Sequence, residues 1–246
     1  MKFFDLLVSK LAVVFVLLAL AACGGPEVSS GVYDPYESNN RITHEANKQF
    51  DRGVARPLSN GYGNTVPSEF RFVINNFRSN FEEPSYVINA LLQGRVDDAL
   101  VSTGRFLINS TVGLLGLFDP ATDFGIAQRD TDFGETLFVW GVREGAVVEL
   151  PVLGPHTTRH AWGRVVDIGL NPLNIFAPSP TGELSLGSYV GQSLDFRYEL
   201  SNTIDGVLYD PGDSYARARG LYLQARRFKL SGGPTEEDLS DPFADF

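Results

Sequence analysis

The chain has 246 residues, with 20 basic and 30 acidic side chains and a formal net charge of −10 at pH 7. An acidic chain disfavours nucleic acid as a partner and offers no broad basic surface to anionic headgroups. Its length fits one ordinary domain or two small ones. The 25 glycines exceed the average share of about 7%, which fits closely packed helices and a loop-rich domain equally well.

Residues 1–22 predict an export signal. Two lysines precede an apolar run over residues 11–22, which is short for a membrane-spanning helix. The run ends in LALAACGG, which resembles the lipobox at which bacterial lipoprotein signals are cleaved, so we expect Cys23 to be the first mature residue and the lipid anchor. Because Cys23 is the only cysteine, an internal disulfide is excluded. Gly24 stands where an Asp would favour the inner membrane, and we therefore expect the outer membrane, on its periplasmic side.

Three helices are predicted from residue 69 onward. The first has an apolar face at helical spacing, formed by Phe70, Val73, Ile74, Phe77 and Phe81. A second helix is predicted to start at the Glu-Glu-Pro signal of residues 82–84 and to end at Gly94. The third begins near Val96, because Asp97 and Asp98 favour a helix N-terminus.

The third helix runs into the stretch FLINSTVGLLGLFDP, residues 106–120. Its apolar and glycine run over residues 112–118 ends at Asp119-Pro120. This run fits a buried core strand, and it fits a segment that lies against lipid. The stretch does not choose between the two interpretations.

The second half of the chain is also predicted to be mainly helical. Gly, Pro and β-branched residues over 141–155 indicate a loop or small hairpin. A helix is predicted over 158–169, and two longer helices over 187–204 and 213–230, with DGVLYDPG between them. From Gly232 the acidic tail has no helical period and is predicted to be disordered.

Motifs for enzymatic chemistry are lacking in the sequence. There is no Gly-x-Ser-x-Gly elbow and no P-loop. His156 and His160 have a spacing that can share a metal, but no third ligand is nearby, so capping or surface histidines are expected. The adjacent pairs at 44–45 and 82–83 do not face each other on a helix and are interpreted as solvated charge. We predict that the protein is not an enzyme and has no metal or cofactor.

Six stretches in order resemble the MlaA (VacJ) family of bacterial outer-membrane lipoproteins. They are YDPYESNNR (33–41), FDRGVARPL (50–58), NNFRSNFEEPSYVINALLQG (75–94), FGETLFVWGV (133–142), ELPVLGP (149–155) and SYARARGLYLQARR (214–227). The resemblance covers residues 33–230. The chain departs from the family at Ala46, where Phe is common, and at His160, where Asp is usual.

The resemblance implies a ring-like bundle of amphipathic helices, embedded in or on the inner leaflet of the outer membrane, with a small hairpin or loop insertion. Phospholipids mislocalised to the outer leaflet would pass through its amphipathic channel to a soluble periplasmic lipid carrier (MlaC-like). This transport would maintain the lipid asymmetry of the outer membrane. Members associate with trimeric porins. The implied organisation is a signal peptide (1–22), a lipidated linker (23–32), a helical domain (33–231) and the acidic tail (232–246).

Two sets of site residues are predicted from the sequence together with this family resemblance. The phospholipid path combines polar groups with the flexible apolar run, and comprises Asn47, Asn109, Ser110, Thr111, Gly113, Gly116 and Phe118. A mobile loop is predicted to gate the channel through Gly141, Arg143, Glu144 and Gly145. The alternative function is a structural lipoprotein that tethers envelope layers and has no lipid channel.

Overall fold

The computed structural model of the protein describes residues 31–175 and 181–232. Within them the protein is mainly helical with one two-stranded antiparallel hairpin, which confirms the predicted helical fold with a small hairpin. In chain order the elements are α1 (Glu37–Phe50), a π-helical turn (Asp51–Ala55), α2 (Arg56–Thr65), α3 (Ser68–Leu92), α4 (Val96–Thr111), α5 (Pro120–Asp123), α6 (Phe133–Val139), β1 (Val147–Leu150), β2 (Gly154–Thr157), α7 (Thr158–Leu170), α8 (Pro172–Ile175), α9 (Thr181–Glu199), α10 (Ser201–Tyr209) and α11 (Ser214–Leu230). The predicted signal peptide, Cys23 and the tail beyond residue 232 lie outside the described residues.

The first three helical segments form one continuous rod over residues 37–65. Backbone torsions stay α-helical at Phe50 and Arg56, the residues on either side of the π turn. Pro57 has no N–H to donate to the carbonyl of Gly53, and the chain is wound as a π turn immediately before it.

The two helices predicted for residues 69–94 are in fact the single helix α3. Pro84 lies inside it instead of starting a second helix, so the prediction of a break was wrong. Local sequence rules favour a break at Pro, but α4 packs along α3 and Arg105 binds Glu83, the residue before the proline. Tertiary contacts therefore hold the helix through the proline.

In the second half of the chain, the structure confirms the predicted hairpin and the helix predicted from residue 158. The helix predicted over 187–204 was wrong in its bounds, since α9 ends at Glu199 and α10 continues to Tyr209. Asp210 is extended because it precedes Pro211, and this sets the end of α10. Asp213 caps α11 by accepting a hydrogen bond from the backbone N–H of Ala216 at 3.0 Å.

The elements contact each other in a closed circuit. α2 packs against α9, α9 against α3, and α3 against α6, α7 and α8. α7 and α11 contact β2, and α1 contacts β1. Because α1 runs on into α2, the circuit closes as the predicted ring-like bundle.

Polar side chains fill the contacts between these elements. Among the residues that the structure describes, seven of the eight largest side chains with less than 2% exposure are polar or charged, and the eighth is Val147. Conversely, Phe70 and Phe72 on α3 are 65% and 67% exposed. Water-soluble proteins bury polar groups sparingly and seldom expose large apolar patches. Within the ranges described above, no helix is both long and apolar enough to cross a membrane.

Candidate functional site

A cavity of about 710 Å³ lies among α3, α7, α9, α11 and the hairpin. Its apolar lining consists of Leu150, Leu153, Ala161, Val165, Ile168 and Leu186. Its charged and histidine lining consists of Arg78, Glu82, Asp130, Asp132, His160, Arg164, Asp167 and Lys229. Such a lining can accept one molecule that carries both an apolar and a charged part.

Two polar stripes supply most of the charged lining. On α7, His160, Arg164, Asp167 and Asn171 recur at helical spacing. On α3, Arg78, Glu82 and Ser85 do the same. Residues three and four apart share a helix face, so α3 turns a polar face toward the cavity, and α7 presents its polar stripe beside the apolar stripe of Ala161, Val165 and Ile168.

Most of the charges around the cavity are paired. Arg78 Nε donates to Glu82 Oε1 at 2.8 Å, and Lys229 Nζ donates to Asp130 Oδ2 at 2.5 Å. Arg226 binds both carboxylate oxygens of Asp132 at 2.6 and 2.7 Å. Burial alone would raise the pKa of Asp132, but the Arg226 guanidinium lowers it to about 2. These pairs keep the polar part of the lining ionised.

Asp167 joins the cavity to the buried network between α3 and α6. It accepts hydrogen bonds from Asn89 Nδ2 at 3.0 Å and from the backbone N–H of Phe133 at 3.1 Å. Burial raises the pKa of Asp167 to about 6. The same side chain therefore fixes α7 against its neighbours and presents a carboxylate to the cavity.

His156 and His160 form a stack with Tyr222, in which His156 is the buried member. The two imidazole centroids are 4.8 Å apart, and Tyr222 Oη lies 2.9 Å from His160 Nδ1. The surface alternative of the predicted capping or surface histidines was wrong for His156, which lies on β2 and is only 4% exposed. In the described ranges, no group of three or more His, Cys, Asp or Glu side chains is arranged to hold a metal ion.

The stacked His160 predicts a specific acid sensitivity. Burial and then Arg226 lower the pKa of His160 to about 3, from an ordinary 6.5. Its contribution to stability is therefore fully present above pH 6.5 and is lost as the pH falls toward 3. Between pH 6.5 and about pH 5 the protein is expected to lose about 2 kcal/mol of unfolding free energy relative to a His160→Asn variant. Denaturant titrations in detergent at both pH values measure this difference.

Asp167→Asn is the control, because the stability that depends on Asp167 is expected to change with pH in the opposite direction. Since the pKa of Asp167 is raised to about 6, the unsubstituted protein loses stability relative to this variant as the pH rises from about 4 to 6. Parallel pH profiles for His160→Asn and the unsubstituted protein would mean that His160 titrates as if it were solvated.

His44 links three elements through a hydrogen-bonded chain. Its Nδ1 lies 3.0 Å from Glu149 Oε1 on β1, and its Nε2 lies 3.1 Å from Ser214 Oγ on α11. The interpretation of His44 as solvated charge was wrong, as it is 4% exposed; Glu83 is likewise 0% exposed and paired with Arg105. A hydrolase triad has the same order of groups, but Ser214 is buried and none of the three residues lines the cavity. The hydrogen-bonded series Glu149–His44–Ser214 therefore holds α1, the hairpin and α11 together.

The predicted phospholipid-path residues near 109–118 lie together, in the last turn of α4 and in the turn that follows it. Asn109 Nδ2 donates to Asp119 Oδ1 at 2.8 Å, and Ser110 Oγ accepts from Asn80 at 3.0 Å. Thr111 is exposed and donates to the carbonyl of Leu107 at 2.7 Å. Gly113 and Gly116 are buried in the turn, and Phe118 is 55% exposed.

None of these residues is part of the cavity lining. Asn47, the seventh, instead binds the hairpin, where it donates to the Leu150 carbonyl at 2.9 Å and accepts from the Val152 N–H at 2.7 Å. Their role in a lipid path stays a prediction.

The predicted gating loop over residues 141–145 is anchored at its centre. Glu144 pairs with Arg227 at 2.8 Å, and its backbone carbonyl accepts from the N–H of Arg159 at 3.3 Å. Gly141 and Gly145 both have positive φ, and a side chain at Gly145 would collide with Thr158. Arg143 and Glu144 are not part of the cavity lining, so gating by this loop also stays a prediction.

The cavity residues on α3 and α7 are not among the residues predicted from the sequence. Their signal in the sequence is the polar period of His160, Arg164 and Asp167, which alternates with the apolar period of the same helix. On α7 this polar period marks the side of the helix that lines the cavity.

Comparisons with known proteins agree with this architecture. The family model described as MlaA lipoprotein matches residues 32–229. The chain is 32% identical to the intermembrane phospholipid transport system lipoprotein MlaA of Escherichia coli, with 92% of this chain and 89% of the relative covered. The Haemophilus influenzae protein of the same name is 31% identical, with 91% and 92% covered.

A solved structure, described as "Structural basis for maintenance of bacterial outer membrane lipid asymmetry", superposes with a TM-score of 0.68. It is 30% identical, and the match covers 80% of this chain and 98% of that chain. Because the family model and the named relatives span most of its length, the chain belongs to the MlaA lipoprotein family.

Proposed function

We propose that this protein is the outer-membrane lipoprotein of an intermembrane phospholipid transport system. It removes mislocalised phospholipids from the outer leaflet through its cavity and passes them to a soluble periplasmic carrier. The names of the relatives and the lipid-asymmetry structure support this role. The observation that carries it here is a cavity with charged and apolar lining inside a ring whose outer surface is rich in apolar side chains. The lipid anchor on Cys23 and association with a trimeric porin belong to the same proposal.

The apolar outer surface supports residence in one leaflet. On α4, Leu100 and Leu107 are 65% and 56% exposed, while Ser102, Arg105 and Asn109 are buried on the opposite face. The following turn exposes Val112, Leu114, Leu115 and Phe118. Helices satisfy their own backbone groups and so tolerate lipid on one side. An interfacial ring of this kind requires no helix that spans the bilayer.

The cavity supports passage of an amphipathic molecule. A charged headgroup loses much solvation energy in hydrocarbon, and the paired charges on α3, α7 and α11 offer it a polar surface. The acyl chains would contact apolar residues such as Val165 and Ile168. Since the sequence has no nucleotide motif, the direction of transport would come from the lipid's excess chemical potential in the outer leaflet, or from an inner-membrane transporter to which the periplasmic carrier delivers the lipid.

Membrane fractionation tests the proposal. A Cys23→Ser variant, exported through an ordinary signal peptide, is expected to stay with the outer membrane through a high-salt wash and to need detergent for release. If it washes off as a soluble monomer, the anchor was its only hold, and the tethering alternative replaces the embedded channel.

The turn after α4 gives this test a specific contact to remove. Leu114 and Leu115 have φ of 53° and 61°, values that Asn tolerates better than most residues. Leu114→Asn with Leu115→Asn, added to Cys23→Ser, is therefore expected to shift the protein to the soluble fraction without backbone strain. Val152→Asn is the matched control, since Val152 is 64% exposed with φ of 67° but lies in the hairpin. We expect this control to remain with the membrane.

A further inference from the structure

Arg164 differs from the other cations that line the cavity. Arg78 is paired with Glu82, and Lys229 with Asp130. Arg164 forms no ion pair or hydrogen bond with any residue in the ranges 31–175 and 181–232. It therefore retains its full capacity for bidentate binding of a phosphate group.

The charges at the cavity are balanced. Arg78, Arg164 and Lys229 line it together with Glu82, Asp130, Asp132 and Asp167, and the fourth carboxylate, Asp132, is neutralised by Arg226 beside the lining. A headgroup with a net negative charge would disturb this balance, whereas a headgroup that carries its own ammonium would not.

Asp130 offers an acceptor for that ammonium. Its side chain is 67% exposed, and only Oδ2 is engaged by Lys229. A carboxylate has about four lone-pair sites, so Asp130 can accept a second cation beside Lys229.

We propose that the cavity prefers a zwitterionic aminophospholipid, such as phosphatidylethanolamine, to an anionic phospholipid, with the phosphodiester on Arg164 and the ammonium at Asp130. This inference rests on the proposed function. The two positions lie on separate elements, so each can be changed independently of the other.

The test is a lipid-retention assay. The full-length lipoprotein in detergent is incubated with vesicles of equal parts phosphatidylethanolamine and phosphatidylglycerol, repurified, and its bound lipid is quantified by mass spectrometry. We expect about threefold more phosphatidylethanolamine than phosphatidylglycerol. Arg164→Gln is expected to lower total bound lipid about tenfold, and Arg164→Lys to restore most of it. Asp130→Asn frees Lys229 and is expected to reverse the preference.

Two comparisons make the outcomes distinct. Arg129→Gln changes a cation that is absent from the cavity lining and 59% exposed, and it should retain lipid like the unsubstituted protein. Incubation with inorganic phosphate alone and, in parallel, with phosphatidylethanolamine vesicles, each read as a shift in the thermal unfolding temperature, separates a phosphate site from a lipid site.

Each result decides a different point. If the unsubstituted protein retains no lipid, the proposed function fails; equal retention of both lipids overturns the preference alone. Unchanged lipid retention in Arg164→Gln overturns the assignment of Arg164 as the phosphate-binding residue. Protection by inorganic phosphate equal to that by lipid overturns the assignment to a headgroup.

Discussion

Arg105→Met is expected to lower the free energy of unfolding in detergent by about 3–5 kcal/mol. Arg105 and Glu83 are 2% and 0% exposed, and Arg105 Nε donates to Glu83 Oε1 at 2.8 Å. Arg105 also binds Asp119 at 2.9 Å. Without the guanidinium, the Glu83 carboxylate is left between α3 and α4 with no opposite charge. Denaturant titration of the purified protein measures the loss.

Two further variants separate the ion pair from general effects of the substitution. Arg129→Met removes an exposed arginine 3.8 Å from Asp98 and should change stability by less than about 1 kcal/mol. Glu83→Leu combined with Arg105→Met should recover most of the loss, because no buried charge then remains. Burial raises the pKa of Glu83, so the penalty in Arg105→Met should shrink as Glu83 takes up a proton at acid pH. Equal losses for Arg105→Met and Arg129→Met would show that the pair does not hold α3 to α4.

The Arg105–Glu83 ion pair is one of several polar contacts that join α3 to α4. Asn80 on α3 donates to Ser110 on α4 at 3.0 Å, and Arg105 spans from Glu83 to the α5 cap at Asp119. Hydrogen bonds and ion pairs take the place that leucines would fill in a water-soluble bundle. If lipid covers the outer face, the hydrophobic effect no longer drives this contact, and directional polar contacts must define it.

The sequence was informative where local signals and the fold agree. The carboxylates at 97–98 start α4, Gly94 follows the end of α3 with φ of 75°, and the turn residues over 141–155 yield the hairpin. It failed at Pro84, where contacts with α4 outweigh a local helix-breaking signal.

The 112–118 run could not be placed from its sequence for a different reason. It is a turn, not a strand, and it depends on positive φ at Leu114 and Leu115, which non-glycine residues seldom adopt. The turn also needs Gly116, because a Cβ there would lie 2.7 Å from Asn80 Nδ2. The cavity was missed because Arg164 and Asp167 are charged residues that a sequence pattern assigns to solvent, whereas the ring turns them inward.

Gly163→Ala is expected to destabilise the protein by about 3 kcal/mol and to impair lipid retention. A Cβ at Gly163 would lie 2.6 Å from the Cα of Gly134 and would also clash with its backbone nitrogen. Backbone atoms cannot move aside as a flexible side chain can, so α6 must shift away from α7. That shift would stretch the hydrogen bond from the Phe133 N–H to Asp167, which also lines the cavity.

Gly169→Ala provides the matched control on the same helix. No atom lies within 4 Å of a Cβ at Gly169, and replacing a helical Gly by Ala is expected to stabilise by about 0.5–1 kcal/mol. The same Gly→Ala substitution is therefore expected to lower the free energy of unfolding at position 163 and to raise it at position 169 of α7. One denaturant titration measures both changes. A Gly163→Ala protein as stable as Gly169→Ala would mean that α6 and α7 are farther apart than described. Loss of lipid retention in Gly163→Ala, but not in Gly169→Ala, would connect the α6–α7 contact to the shape of the cavity, because α7 carries Arg164 and Asp167 into it.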